Sequence, residues 1–126
     1  MHTNKMNGSG VNRIFKATHC SINGYKVAWQ TESAFRQELS LAIILLPLSF
    51  FIAQSPIEWC ALAATLALTL IVELLNSALE TLADRITLNY DESIKRVKDL
   101  GSAAVTTALM LTCLTWGALT LKAIFY

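Results

Sequence analysis

The chain has 126 residues, 54% of them hydrophobic and 15% charged, which leaves room for one domain at most. Its formal net charge of +1 gives no basic surface for a polyanion and excludes nucleic acid as an expected partner. The three cysteines, Cys20, Cys60 and Cys113, are odd in number and lack metal-ligand spacing, which argues against a disulfide framework or a zinc site.

Residues 1–10 read as a loose tail rich in Asn, Gly and Ser, with no apolar stretch of signal-peptide type. The first apolar run is therefore expected to stay as a membrane anchor. From 11 to 38 the pattern is amphipathic. Val11, Ile14 and Phe15 share one helical face, with Arg13 and Lys16 turned away. After an expected turn at "SING", Tyr25, Ala28, Trp29 and Phe35 do likewise, although Glu32 and Arg36 interrupt the stripe. A basic, aromatic-bearing segment of this kind lies in a membrane interface, or packs as a solvated helix on a partner.

Three apolar runs follow: Leu39–Ala53, Trp59–Val72 and Ala103–Leu121. The last is uncharged for 19 residues, about 28 Å of helix, enough for a hydrocarbon core of roughly 30 Å. The first two reach that length only with their polar flanks. A soluble bundle would instead show apolar stripes at helical period. The expected spans are 39–54, which carries Pro47, then 58–84 with a cytoplasmic extension, and 101–122. The residues "AQSP" form the first turn, and a polar connection over 85–100 joins the last two spans. The third span is rich in small residues, which let helices approach closely. Basic residues flank the first span on its N-terminal side and fill 84–101, while the 53–57 turn has none and the C-terminus only Lys122. Counting them puts the N-terminus and both polar segments in the cytoplasm.

The chemistry sits in "VELLNSALETLADR", 72–85. On one helix, Glu73, Glu80 and Asp84 point within about 20° of one direction, and Asn76 about 60° to the side. Counted from Trp59, Glu73 lies about 21 Å deep. A carboxylate facing lipid there costs about 2 kcal/mol or more, so it must face protein, a cavity or a cation. Three readings remain: hydrogen-bonded glue between helices, a proton or cation path, or a site for a magnesium-bound phosphate, since magnesium takes one or two carboxylates plus substrate phosphates. The chain has no P-loop, Gly-rich kinase loop, HRD or DFG motif. Phosphoryl transfer would thus need another scaffold, with Glu32, Glu73 and Glu80 as carboxylates and Arg13, Lys16 and Lys98 as cations.

The segment "ELLNSALETLADR" matches the pattern E-x-x-N-S-x-x-E-x-x-x-D-R. With "AWQTESAFRQE" (28–38), "VKDLGSAAV" (97–105) and "RIFKA" (13–17), it makes the sequence resemble the prokaryotic diacylglycerol kinase family. The resemblance implies an all-α membrane protein of the bacterial inner membrane: an N-terminal amphipathic surface helix plus three transmembrane helices, assembled as a homotrimeric helix bundle with active sites shared between subunits. ATP with Mg2+ would enter from the cytoplasm and diacylglycerol from the bilayer.

Carried onto this sequence, the resemblance makes Glu73 the general base, supported by Asn76, and Glu32 and Glu80 the metal ligands that bridge to ATP. Arg13, Cys20, Asn89, Tyr90, Asp91, Lys98 and Asp99 correspond to further nucleotide contacts. Arg13, Lys26, Trp29, Ala34, Phe35, Arg36, Gln37, Glu38, Glu73, Ser102 and Trp116 fall along the lipid path. Cys20 stands where family members carry a tyrosine. A polyprenol kinase is the alternative within this chemistry; a small proton- or ion-conducting helical protein is the alternative outside it.

Overall fold

The computed structural model describes residues 10–126, and four helices account for nearly all of them. These are α1 (Val11–Thr31), α2 (Ser33–Ile52), α3 (Pro56–Ile86) and α4 (Glu92–Phe125). The expected tail, apart from Gly10, lies outside the described residues. The chain divides into two units, one ending at Ser33 and the other running Ala34–Tyr126.

In the first unit, α1 starts behind Gly10, whose φ of 57° belongs to the region that favours glycine. The turn expected at 21–24 is absent: α1 runs unbroken through it. A single glycine inside a helix costs only about 1 kcal/mol, and Ser21 donates its hydroxyl to the Ala17 carbonyl at 2.8 Å, so nothing forces a break. Continuity merges two short stripes into one. Val11, Ile14, Phe15, Ile22, Tyr25 and Trp29 fall within about 60° of a common direction, and all six are exposed. Arg13, Lys16 and Cys20 occupy the opposite side. The helix stops at Glu32, which is extended (φ −116°, ψ 105°) and closes α1 by donating its N–H to the Ala28 carbonyl.

In the second unit, α2, α3 and α4 are each long and apolar enough to cross a membrane. Pro47 lies inside α2. Its ring removes one helical N–H donor, and two residues on the Ser49 hydroxyl donates to the Leu46 carbonyl. The α2–α3 turn is sharp because its sequence caps the next helix. Ser55 accepts from the Glu58 N–H at 3.2 Å, Pro56 takes the first helical position, and Glu58 reaches back to accept from the Gln54 N–H. Asp91 caps α4 by accepting from the Ile94 N–H at 3.1 Å. At 31 and 34 residues, α3 and α4 reach about 46 and 51 Å. Both outrun the hydrocarbon and carry their polar ends beyond it.

The principal packing is α3 on α4. Leu62, Leu66 and Trp116 form its apolar centre, and Ala42, Leu45, Ile52 and Ala53 bring α2 and the following turn against it. Beside this centre runs a hydroxyl ladder. The Trp116 indole N–H donates to Thr65 Oγ1 at 3.0 Å, and the Thr69 and Thr112 hydroxyls meet at 2.8 Å. With no hydrophobic force between helices in lipid, such bonds hold the register. Thr65→Val and Trp116→Phe should couple by about 0.6 kcal/mol in a double-mutant cycle read by detergent unfolding. Strictly additive losses would leave the indole bond without weight.

Of the small residues in α4, Gly101 and Ala108 are buried against the chain itself, whereas Ser102, Ala103, Ala104, Gly117 and Ala118 face outward.

Candidate active site

Glu73 is 4% exposed and Ser77 is buried one turn on, both on the α3 face that also holds Thr65 and Thr69. The acidic stripe is therefore the lower part of a longer polar seam along α3. Within the second unit, the Glu38 carboxyl of α2 is a hydrogen-bonding neighbour of Glu73, although 35 residues separate them. The other Glu38 oxygen, Oε1, is buried and has no hydrogen-bond partner.

One turn further along α3, the Asn76 carboxamide donates from Nδ2 to Glu80 Oε1 at 3.2 Å. Asn76 Oδ1 is buried without a partner and abuts Gly101 of α4. Glu80 is half-buried, so its carboxylate is fixed by Asn76 yet stays reachable. Among the described residues no three His, Cys, Asp or Glu side chains gather to hold a metal by themselves. The oxygen donors at Glu80, and at Glu32 in the first unit, suit a hard cation that arrives with phosphates and needs few protein ligands.

At the polar end, Lys98 Nζ meets Asp84 Oδ1 at 2.7 Å across α3 and α4, and Lys95 pairs with Asp99 at 2.7 Å within α4. The Asp84 carboxylate, mainly through its hydrogen bond, holds the Lys98 ammonium above its ordinary range. Both side chains are about half exposed, and pairs of that kind contribute little to stability. Asn89, Tyr90 and Asp91 form the exposed α3–α4 connection. There Asp91 serves as a helix cap, and Asn89 donates its N–H to Thr87 Oγ1 at 3.1 Å.

The other expected site residues divide between the units. Arg13, Lys16 and Cys20 line one shallow depression on α1 with Ala17, which places two cations beside the thiol. Lys26 and Trp29 also lie on α1, both exposed. In the second unit, Phe35 is 1% exposed, Ala34 and Arg36 are half-buried, and Gln37 faces outward. Ser102 is exposed, whereas Trp116 lies in the α3–α4 core, its N–H committed to Thr65.

Sequence reasoning missed Thr65, Thr69 and Ser77 as parts of the seam, and Gly101 as the partner surface of Asn76. Steps of four residues back and forward from Glu73 give Thr69, Thr65 and Ser77, so helical spacing carried the signal.

Comparisons with known proteins identify the family. The family model described as prokaryotic diacylglycerol kinase matches residues 19–120. A diacylglycerol kinase of Haemophilus influenzae is 40% identical over 111 residues, covering 88% of this chain and 94% of that one. Those of Pseudomonas aeruginosa and Escherichia coli K12 are 41% and 39% identical, covering 90% and 87% of this chain and 92% and 90% of theirs. The matched range takes in α2, α3 and nearly all of α4, with the Glu73–Asn76–Glu80 stripe at its centre, and the chain belongs to the prokaryotic diacylglycerol kinase family.

Proposed function

We propose that this protein transfers the γ-phosphate of ATP to the primary hydroxyl of diacylglycerol, giving phosphatidic acid and ADP at the cytoplasmic edge of the membrane. The observation that carries the reading is Glu73: a carboxylate 4% exposed inside a helix of membrane-spanning length, with Glu38 beside it and the Asn76–Glu80 pair one turn nearer the polar end. Family membership makes the chain a lipid kinase. The residues supply the rest of the argument.

In this reading the lipid hydroxyl reaches Glu73 from the bilayer. The Glu73 carboxylate takes its proton as the hydroxyl oxygen bonds to the γ-phosphorus, and the bond to the β,γ-bridging oxygen breaks, its electron pair leaving with ADP. Glu38 keeps Glu73 oriented and offers a second oxygen to the accepted proton. Glu32 and Glu80 would hold magnesium, which supplies positive charge to the phosphate oxygens. Lys98 in the second unit, and Arg13 and Lys16 on α1, would each supply positive charge for phosphates. Cys20 shares the polar side of α1. Asp99 and residues 89–91 would contact the outer parts of the nucleotide.

Lys26, Trp29, residues 34–38, Ser102 and Trp116 are the residues this reading gives to the lipid path. Trp116, buried in the α3–α4 core with its N–H taken by Thr65, would shape that path through packing. The outward-facing small residues of α4 suit close contact with further copies, in keeping with a homotrimer whose sites are completed by neighbours.

Charge supports the orientation. Arg13, Lys16, Lys26 and Arg36 precede the first span, and Arg85, Lys95, Arg96 and Lys98 sit between the last two. At the opposite end Lys122 is paired with Glu58, leaving that side without free positive charge among the described residues. Both basic segments thus face the cytoplasm, which is the inner-membrane placement with a cytoplasmic N-terminus.

The test is ADP release from purified protein in mixed micelles. Dioleoylglycerol is expected to stimulate it, and a polyprenol of similar concentration should not. Preference for the polyprenol would move the protein to that substrate class. Proton flux in liposomes with no ADP release would replace the kinase reading with a conducting one.

A further inference from the structure

Gly101 sits inside α4 at a place where helix propensity alone would select another residue. It is buried, and a β-carbon built on it would fall on the Asn76 side chain, meeting Oδ1 first and Cγ at 3.2 Å. Of the described glycines, Gly10, Gly24 and Gly117 have open space in the same position, so the close approach is particular to this level of α3 and α4. It is the level of the acidic stripe.

Chemistry fixes which way the Asn76 amide faces. Glu80 Oε1 accepts from Nδ2 at 3.2 Å, so the NH2 end points at Glu80. The carbonyl end is then left against α4. There Oδ1 is buried without a hydrogen-bond partner. Only a residue without a side chain leaves room for it, and the α-hydrogens of glycine offer it the weak contact available. A side chain at 101 would push the carboxamide away and take its NH2 group off Glu80.

We infer that Gly101 is a positioning residue for the phosphoryl-transfer site: its missing side chain seats the Asn76 carboxamide so that Nδ2 holds the Glu80 carboxylate in its working orientation. The inference rests on the proposed kinase reading for what Glu80 does. The seating itself is independent of that reading. Gly101 touches no substrate, and it acts through two side chains in turn.

Two measurements on the full-length protein in micelles test it. The first is independent of turnover. With 15N-asparagine labelling, the Asn76 carboxamide signal, assigned by its loss in Asn76→Ala, should show a nuclear Overhauser contact to the Gly101 α-hydrogens. A wild-type spectrum without that contact overturns the seating, whether or not the protein is a kinase.

The second is magnesium dependence of ADP release. Gly101→Ala should raise the half-saturating magnesium concentration about tenfold, the scale of losing a group that orients a metal ligand, and Asn76→Ala should do the same. The double variant, in which the clash is removed and folding is restored, should be no worse than Asn76→Ala alone. Multiplying effects, or a Gly101→Ala protein with the wild-type magnesium requirement, would show that Gly101 only packs helices. Absence of magnesium-dependent ADP release from the wild type, with the amide contact present, would remove the kinase reading and leave the seating intact.

Discussion

Glu73→Gln is expected to leave a folded, membrane-inserted protein with kinase turnover lowered about 10³-fold, within the range that a positioned general base supplies. Gln keeps the volume and the hydrogen-bonding reach of Glu. It also removes one of two carboxyl groups that face each other at Glu38 and Glu73, so packing of α2 on α3 should not suffer. What disappears is the ability to accept a proton from the lipid hydroxyl. The loss should therefore appear in kcat, with the KM for diacylglycerol nearly unchanged, because the amide still fits where the carboxylate did. Turnover within a few-fold of wild type would reject Glu73 as the base. A raised KM at constant kcat would make it a binding group instead.

The placement of Glu73, Asn76, Glu80 and Asp84 on one face was legible because α3 obeys a single period from Pro56 to Ile86, and a period of 3.6 residues can be counted in a sequence. The three spans were legible for the same kind of reason, since length and hydropathy bound what crosses a membrane. The 21–24 segment was not. "SING" has the composition of a turn, yet its glycine and serine are each tolerated in a helix at small cost, and propensity cannot decide between outcomes so close in energy.

The hydroxyl seam was hidden by a different ambiguity. Thr65 and Thr69 each donate to a carbonyl of their own helix. A threonine can do that equally well facing lipid or facing a neighbour, so its presence in an apolar run does not say which way it points. The Glu38–Glu73 and Gly101–Asn76 contacts are tertiary, joining residues 35 and 25 positions apart in a single sequence. Nothing local encodes such pairings. Resemblance could flag Glu38 as part of the lipid path, but only packing shows that it stands against the proposed base.

Glu80→Ala is expected to lower turnover about 10²-fold and to raise the magnesium requirement by about 10- to 100-fold, the cost of disturbing a metal ligand or its support. The expectation follows from how the side chain is held. Asn76 Nδ2 engages Oε1 at 3.2 Å, which fixes the carboxylate plane and leaves its other oxygen free to meet a cation. Glu80 is half-buried near the polar end of α3, where a water-soluble phosphate donor can reach it and where Lys98 stands across on α4. Removing the carboxylate also strands the Asn76 donor, so Glu80→Gln is the sharper variant, because its amide oxygen can keep accepting from Asn76 while its charge is gone. If charge toward magnesium is what Glu80 provides, Gln should resemble Ala in magnesium dependence and exceed it in stability. If Gln instead restores turnover at ordinary magnesium, the residue acts as an acceptor for Asn76, and the metal must be held by carboxylates elsewhere, with Glu32 the first to test.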